Sequence, residues 1–248
     1  MAWRWAAASA IGTAHIRAGL RLQDALAVAA CGPAHVLAVV ADGAGSAAYG
    51  SHGAWLACRH LNTAFRAWVA ANDGLPDDET LAGWIGDLRG RIAAAADRRD
   101  CAPRQFAATL AAVLVAPGGA LALHVGDSAI VGRRDADWEI VCWPENGEYA
   151  ATTYFITDDP APRLNIVRLP PAHDAFALFT DGIGDLALDH AGRRAHRRFF
   201  DPMIGPVDRA DAAGRLPELS AKLRGYLAGP SVCARTDDDK TLVLMSAA

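Results

Sequence analysis

Strand-length apolar runs in this chain repeatedly meet a turn at an aspartate: HVLAVVADGAGS, ALALHVGDSAI, FALFTDGIGD and TDDDKTLVLM. A strand that ends in Asp-Gly or Gly-Asp delivers a carboxylate to the rim of a sheet, where the backbone must reverse. The residues are Asp42, Asp127, Asp181 and Asp238, spread over nearly the whole length. A fold that gathers these strand ends at one edge gathers their charges, and grouped carboxylates repel one another unless a cation neutralises them. Oxygen ligands without Cys or His partners favour Mg²⁺ or Mn²⁺ over zinc. The first expectation is therefore a β-rich fold with a divalent metal site built from carboxylates.

The bulk numbers permit this. In 248 residues, 52% hydrophobic content is ample for a buried core. A formal charge of −4 and a pI near 6.0 point to no basic face and argue against a nucleic-acid partner. Five scattered cysteines with no CxxC pair fit reduced, buried thiols in a cytoplasmic protein rather than a disulfide framework. The opening MAWRWAAASAIG has no apolar segment of signal-peptide type and reads as the first strand. Every apolar run is cut by charge or glycine well short of a membrane span.

Periodicity orders the elements. Residues 1–16 suit an edge strand, and 24–31 and 35–42 flank Gly32-Pro33 as a hairpin of buried strands. Ala54, Cys58, Leu61, Phe65 and Trp68 recur at helical spacing, and a second helix follows Pro76 with Asp77 or Asp78 as its N-cap. Four further runs between Phe106 and Pro144 read as an antiparallel meander. Residues 144–173 read as a long surface excursion that lies over a site, and 189–210 as basic and irregular. Leu216, Leu219, Leu223, Tyr226 and Leu227 mark a third helix before a final strand, TLVLMS. Helices in a pair and strands in a run indicate α+β layers rather than alternating βαβ units. With no repeat or linker, residues 1–248 are expected to form one domain.

In order, these segments resemble the metal-dependent protein phosphatase family of the 2C type. RLQDALAV is similar to its early acidic motif, VVADGAGS to its signature Asp-Gly turn, and FAATLAAVLV to its Ser/Thr-containing strand. LHVGDSAIV, FTDGIGD and DDKTLVLM resemble its Gly-Asp-Ser hairpin, its second Asp-Gly turn and its closing strand. The GxxH…QDA opening and GEYAATTYFIT (147–157) resemble a divergent bacterial branch. The resemblance implies a four-layer α-β-β-α sandwich, two antiparallel sheets flanked by helices, with two Mn²⁺ or Mg²⁺ ions at one end. It implies that Asp42 bridges the ions, that the Gly43 carbonyl binds one, and that Asp181 and Asp238 bind the other. It further implies that Asp24 holds metal-bound waters, and makes Asp127 with Asp181 or Asp185 candidates for a third ion. The implied activity is serine/threonine phosphoprotein hydrolysis, opposing a Ser/Thr kinase, by a hydroxide bridging the two ions. Such a hydroxide needs no protein nucleophile.

Two departures stand out. Where many members place a phosphate-clamping arginine, five residues before Asp24, this chain has Gly19, leaving Arg17, Arg21 and His15 as candidates for the substrate phosphate. Where some members carry a histidine after the signature Asp-Gly, this chain has Ala44, and His15 or His52 is the alternative acid. The missing arginine keeps open a weakly active or inactive module that binds phosphoprotein or a regulatory partner. A binuclear hydrolase of a small phosphoester is the third reading. Plainer roles are expected for Thr109 (strand packing), Ser46 and Ser51 (helix caps), Trp55, Trp68 and Trp84 (core), and 193–200 (a solvated flap or docking surface). Of Asp238 and Asp239, the spacing leaves the ligand open by one residue.

Overall fold

The structure is a computed structural model that describes residues 2–146 and 153–248. It opens with β1 (Trp3–Ala10) and a six-residue helix, α1 (Thr13–Ala18), closed by Gly19 in the left-handed region at φ 67°. The hairpin of β2 (Ala25–Gly32) and β3 (His35–Ala41) follows as expected, although only β3 is buried throughout. Then come the two long helices, α2 (Gly50–Val69) and α3 (Asp78–Asp97). Asp77 is the N-cap of α3, accepting the Thr80 N–H at 2.9 Å. Neither Ser46 nor Ser51 caps α2, whose first residue follows Tyr49 without a side-chain cap.

Six strands come next: β4 (Leu110–Ala116), β5 (Gly119–Val125), β6 (Ala129–Arg134), β7 (Asp137–Cys142), β8 (Asn165–Leu169) and β9 (Ala175–Phe179). The remainder comprises α4 (Gly184–Ala187), β10 (Leu188–Asp189), β11 (Arg194–Ala195), α5 (Arg197–Asp208), β12 (Gly214–Arg215), α6 (Pro217–Leu227), α7 (Pro230–Cys233) and β13 (Lys240–Ala247).

These strands make two main sheets, ordered β2-β3-β4-β5-β8 and β12-β1-β13-β9-β6-β7. Pairing is antiparallel throughout both except for the two-residue β12 beside β1. Between the sheets lie Val36, Ala38 and Val40 of β3, Val113 of β4, Phe176 and Leu178 of β9, and Val243 and Met245 of β13. The alternate residues Leu37 and Val39 face outward onto Leu61 and Phe65 of α2 and Leu88 and Ile92 of α3. On the far side, Phe200 and Ile204 of α5 and Leu223 and Leu227 of α6 cover Ala6, Ala177 and Leu244. Central strands buried on both faces read as unbroken apolar runs, which is why β3, β4 and β5 lack polar alternation. The result is the expected α-β-β-α layering.

Three expectations change. The four-strand meander is two hairpins in different sheets: β4–β5 belong to the smaller, β6–β7 to the larger. Gly126, at φ +99°, turns the chain across, and a Cβ there would lie 2.7 Å from Thr109 Cγ2. The excursion 144–173 contains β8, an edge strand on β5, while 147–152, including the start of GEYAATTYFIT, lie outside the described residues. The segment 189–210 holds a twelve-residue helix, α5, despite Pro202 and Pro206, because Phe200, Ile204 and Val207 bury one face of it. Arg194 and Arg197 in this segment pair locally with Asp189, Asp137 and Asp201. The first strand was expected at an edge, and β1 is flanked on its outer side by two residues of β12 alone.

Helix α2 sits unusually close to the turn before β4: a Cβ on Gly53 would meet the Phe106 carbonyl oxygen at 2.0 Å. Gly83, on the exposed side of α3, has nothing within 4 Å. Gly83→Ala is expected to stabilise by ~0.5–1 kcal/mol through helix propensity. Gly53→Ala is expected to destabilise by ~1–3 kcal/mol or more despite the same propensity gain. Urea unfolding of the two variants checks the opposed signs.

Candidate metal centre

The ladder registers carry the acidic residues to one end of the sandwich. Ala25 pairs with Ala41, so Asp24 at the start of β2 lies beside Asp42 at the end of β3. Val40 pairs with Ala111, and the Thr109 N–H donates to the Asp42 carbonyl at 2.8 Å. Leu110 pairs with Val125, bringing Gly126-Asp127 alongside Thr109. In the larger sheet, Phe179 pairs with both Ala129 and Leu242, which sets Asp181 between the Asp127 crossover and the approach to β13. Each register shift of one residue would turn these side chains to the wrong face.

At this end is a cavity of about 360 Å³ lined by, among others, Asp42, Gly43, Asp127, Asp181, Asp237 and Asp238. Carboxylate oxygens of Asp42, Asp127 and Asp181 lie within 4.8 Å of one another. Asp238 lines the same cavity from the segment before β13, with its Oδ1 accepting the Asp239 N–H at 2.7 Å. Asp239 does not line it. That carboxylate is buried, accepting the backbone N–H groups of Gly12 and Gln23, both at 2.6 Å. Asp185 also stands apart, exposed on α4 and 3.2 Å from His190 Nε2.

Backbone packing is tight where the acidic turns meet. A Cβ on Gly43 would lie 2.3 Å from the Gly50 carbonyl carbon; one on Gly182 would lie 1.8 Å from the Asp239 carbonyl oxygen. Only glycine allows these approaches. Asp24 joins the two sheets: its Oδ2 accepts the hydroxyls of Thr180 at 2.8 Å and Thr241 at 2.7 Å. Its Oδ1 is buried with no partner. Thr109, expected only to pack, accepts the Asp42 N–H at 3.0 Å and lies 3.1 Å from Ser128 Oγ. Thr153 Oγ1 donates to Asp127 Oδ2 at 2.5 Å, so the 144–173 excursion does reach the cavity.

The electrostatics are those of carboxyls taken out of water and crowded together. Desolvation, opposed by the Thr241 and Thr180 hydroxyls and reinforced by Asp239 and Asp181, raises Asp24 to about 7. Desolvation with Asp127 and Asp238 raises Asp181 to about 7, even though its residue surface is open to the cleft. Asp42 is pushed well above the carboxylate range by desolvation and by Asp24, Asp181, Asp127 and Asp238. Desolvation raises Asp127, against its Thr153 hydrogen bond. Four carboxyls that resist ionising together, an orphaned buried oxygen and an all-oxygen donor set fit a hard divalent cation. Lys240, wholly buried, contributes one nearby positive group, but its Nζ is engaged by the Asp238 carbonyl at 2.8 Å.

The phosphate-binding candidates separate. His15 of α1 lines the cavity, with Nδ1 3.0 Å from Asp239 Oδ1, an ion-pair distance without hydrogen-bond geometry. Arg17 pairs with Asp237 at 2.8 Å, and Arg21 lines neighbouring grooves instead. Gly19, in place of the clamping arginine, ends α1 in a conformation that a larger side chain adopts only with strain. Among described residues no arginine lines the cavity.

Comparisons with known proteins bear on the family and the fold. A model of the family described as protein phosphatase 2C matches residues 11–228. Serine/threonine-protein phosphatase 3 of Escherichia coli (strain K12) is 36% identical over 251 residues, covering 98% of each chain. PppA of Pseudomonas aeruginosa superposes with a TM-score of 0.70 at 19% identity, over 100% of this chain and 99% of that one. The phosphatase PstP/Ppp of Mycobacterium tuberculosis gives 0.66 at 18%, over 99% of both. A PstP catalytic domain in complex with two manganese ions gives 0.62 at 18%, over 99% and 98%. The three solved structures share the fold, and the family match with the end-to-end relative goes further: the chain belongs to the protein phosphatase 2C family and is a metal-dependent protein phosphatase.

Proposed function

We propose that this serine/threonine phosphatase works through two Mn²⁺ or Mg²⁺ ions held at the sandwich rim, with residues 1–248 acting as one catalytic domain. The observation that carries the reading is the trio Asp42, Asp127 and Asp181, whose oxygens converge within 4.8 Å. Asp42, the Gly43 carbonyl, Asp181 and Asp238 would hold the ions, with Asp42 the residue both would draw on. Support for Asp238 over Asp239 is that Asp238 lines the cavity while Asp239 is spent on backbone N–H groups. Asp127 is the candidate for a third ion, and Asp185 would join it only by leaving His190. When bound, the ions supply Lewis acidity, activating water for in-line attack and neutralising phosphoryl charge.

The chain's own residues do the positioning. Thr180 and Thr241 fix one oxygen of Asp24 and leave the other buried without a partner, the group that would hold metal-bound water. His15 Nδ1 lies 3.0 Å from Asp239 Oδ1 at the cavity wall, which leaves Nε2 as the nitrogen to meet the substrate phosphate. The substrate is a phosphoprotein opposed by a Ser/Thr kinase. A cytoplasmic location is supported by five cysteines that are all free; no helix among the described residues is long and apolar enough to cross a membrane.

With a phosphothreonine peptide and Mn²⁺, wild type is expected to turn over, and chelator to stop it. Asp42→Ala is expected to lose more than ~100-fold in kcat/KM. Full activity of Asp42→Ala would remove the proposed centre. Tight Mn²⁺ binding without wild-type turnover would favour the inactive-module reading instead.

Metal-free stability gives a second check. Asp24 and Asp181 keep their protons up to about pH 7 in the fold but lose them near 3.8 when unfolded. The folded state therefore binds more protons between those values, and stability falls as pH rises through that window, with the loss complete above it. In chelator, Tm is expected to drop between about pH 4 and 7 and to level off above. Mn²⁺ is expected to restore it, increasingly so at higher pH where protons no longer compete for the oxygens. Asp42→Asn should raise the chelated protein's Tm at about pH 8 by removing a buried carboxyl that its neighbours resist ionising. A flat Tm profile in chelator would contradict the strained cluster.

A further inference from the structure

Beside the metal centre a second depression runs between the loop after α1 and the first turns of α2. One part, about 470 Å³, is lined by Leu20, Arg21, Gln23, Ser51, His52 and Arg99. It continues through Arg21, Ser51 and His52 into a part of about 610 Å³ that Asp24 also lines and that ends at Trp55. Gln23 lines both this groove and the metal cavity, so the two are contiguous. Trp55, expected in the core, is 47% exposed, and Leu20 is 49% exposed. With Ile16 of α1 they are three of the four large apolar side chains most open to solvent among the described residues.

The part next to the metal cavity is cationic in a chain that is net acidic, lined by Arg21 and Arg99 and by no Asp or Glu. Residues 13–23 and 43–72 contain no Asp or Glu, and 98–105 contain only Asp100. The same three segments carry seven arginines (17, 21, 59, 66, 98, 99 and 104), against 24 basic and 28 acidic residues overall. Arg99 lies 5.0 Å from the Tyr49 ring centre and 5.4 Å from that of Phe106, donating to His52 Nδ1 at 3.2 Å. Arg59 lies 5.1 Å over Trp55. Among the described residues, no carboxylate pairs with Arg21, Arg59, Arg98 or Arg99. Desolvation, Arg99 and Arg98 hold His52 below its ordinary pKa, so it serves Arg99 as a neutral acceptor. Guanidinium groups fixed by aromatic faces and left without counter-charges are disposed to meet carboxylates or phosphates from outside.

We infer that this groove holds the substrate polypeptide next to the phosphorylated residue and selects acidic side chains there, with an apolar neighbour resting on Trp55. The inference rests on the phosphatase reading for the direction of approach, since the groove opens onto the metal cavity through Gln23. Charge complementarity of this kind chiefly sets selectivity and encounter rate, and it weakens with salt.

The test uses three fluorescein-labelled phosphothreonine peptides that differ only in flanking Glu, Gln or Lys, each with one leucine. Anisotropy gives affinity, phosphate release in Mn²⁺ gives kcat/KM, and p-nitrophenyl phosphate serves as a substrate without flanks. Wild type is expected to favour the Glu peptide over the Lys peptide by about tenfold, less at high salt. Arg21→Glu, at an exposed loop position, is expected to erase or invert that ratio, which is internal to each variant. Equal affinities for the three peptides in wild type, or a ratio unmoved in Arg21→Glu, would overturn the inference and leave the groove to another occupant. If p-nitrophenyl phosphate and all peptides resist hydrolysis, it is the catalytic reading that fails, and the anisotropy ratios still decide the groove.

Discussion

Mutual repulsion among carboxylates is the constraint that the rest of the structure answers. Asp24, Asp42, Asp127 and Asp181 all rise above their ordinary pKa because the fold takes water away from them and then sets them beside one another's charge. No local interaction would choose that arrangement. It is imposed by two sheets whose cores are already satisfied, Val36 to Met245 between them and the helices outside. The electrostatic cost of the rim is thus offset elsewhere, and a divalent cation is the natural ligand of the strained arrangement.

What makes the rim rigid is a small set of contacts between sheets. Asp24 belongs to the smaller sheet, yet its Oδ2 is held by threonines from β13 and from the end of β9, both in the larger. Asp239 fastens the turn before β13 to Gly12 and Gln23, on either side of α1. Gly182 lets its own turn lie against the Asp239 carbonyl, and Gly12 does the same against the carbonyls of 237 and 238. These groups hold the acidic turns without offering oxygens to the cavity. Replacing a glycine here would move a carboxylate rather than merely loosen a turn.

Much of this was legible in the sequence because the signals were local. The apolar stripe of α2, the N-cap choice at α3 and the β2–β3 hairpin follow from spacing and turn chemistry. The Asp-turn order was legible too, since each aspartate sits at a strand end whatever the sheet. The misses were tertiary. Nothing local announces that Gly126–Ser128 crosses between sheets; an antiparallel meander has the same turn lengths. Helix α5 was hidden by Pro202 and Pro206, and β8 by a proline-rich neighbourhood. That Asp238 lines the cavity while Asp239 is buried is a matter of tertiary burial, which spacing does not encode. Thr109 and Thr153 act through contacts with Asp42 and Asp127 that are far apart in the chain.

Net charge was the least informative number, because it averages over a molecule that separates its signs. The rim gathers aspartates, while the adjoining segments 13–23 and 43–72 exclude them altogether. Without a cation the rim repels a phosphorylated substrate; with divalent ions bound its sign reverses locally, while the arginines beside it keep theirs. A substrate bearing acidic residues near its phosphate would then meet attraction at both places, one set by the metal and one by the chain. The first depends on occupancy and pH, the second on ionic strength alone, since guanidinium groups do not titrate in this range. Separating the two dependences distinguishes how the protein holds the phosphate from how it holds the polypeptide around it.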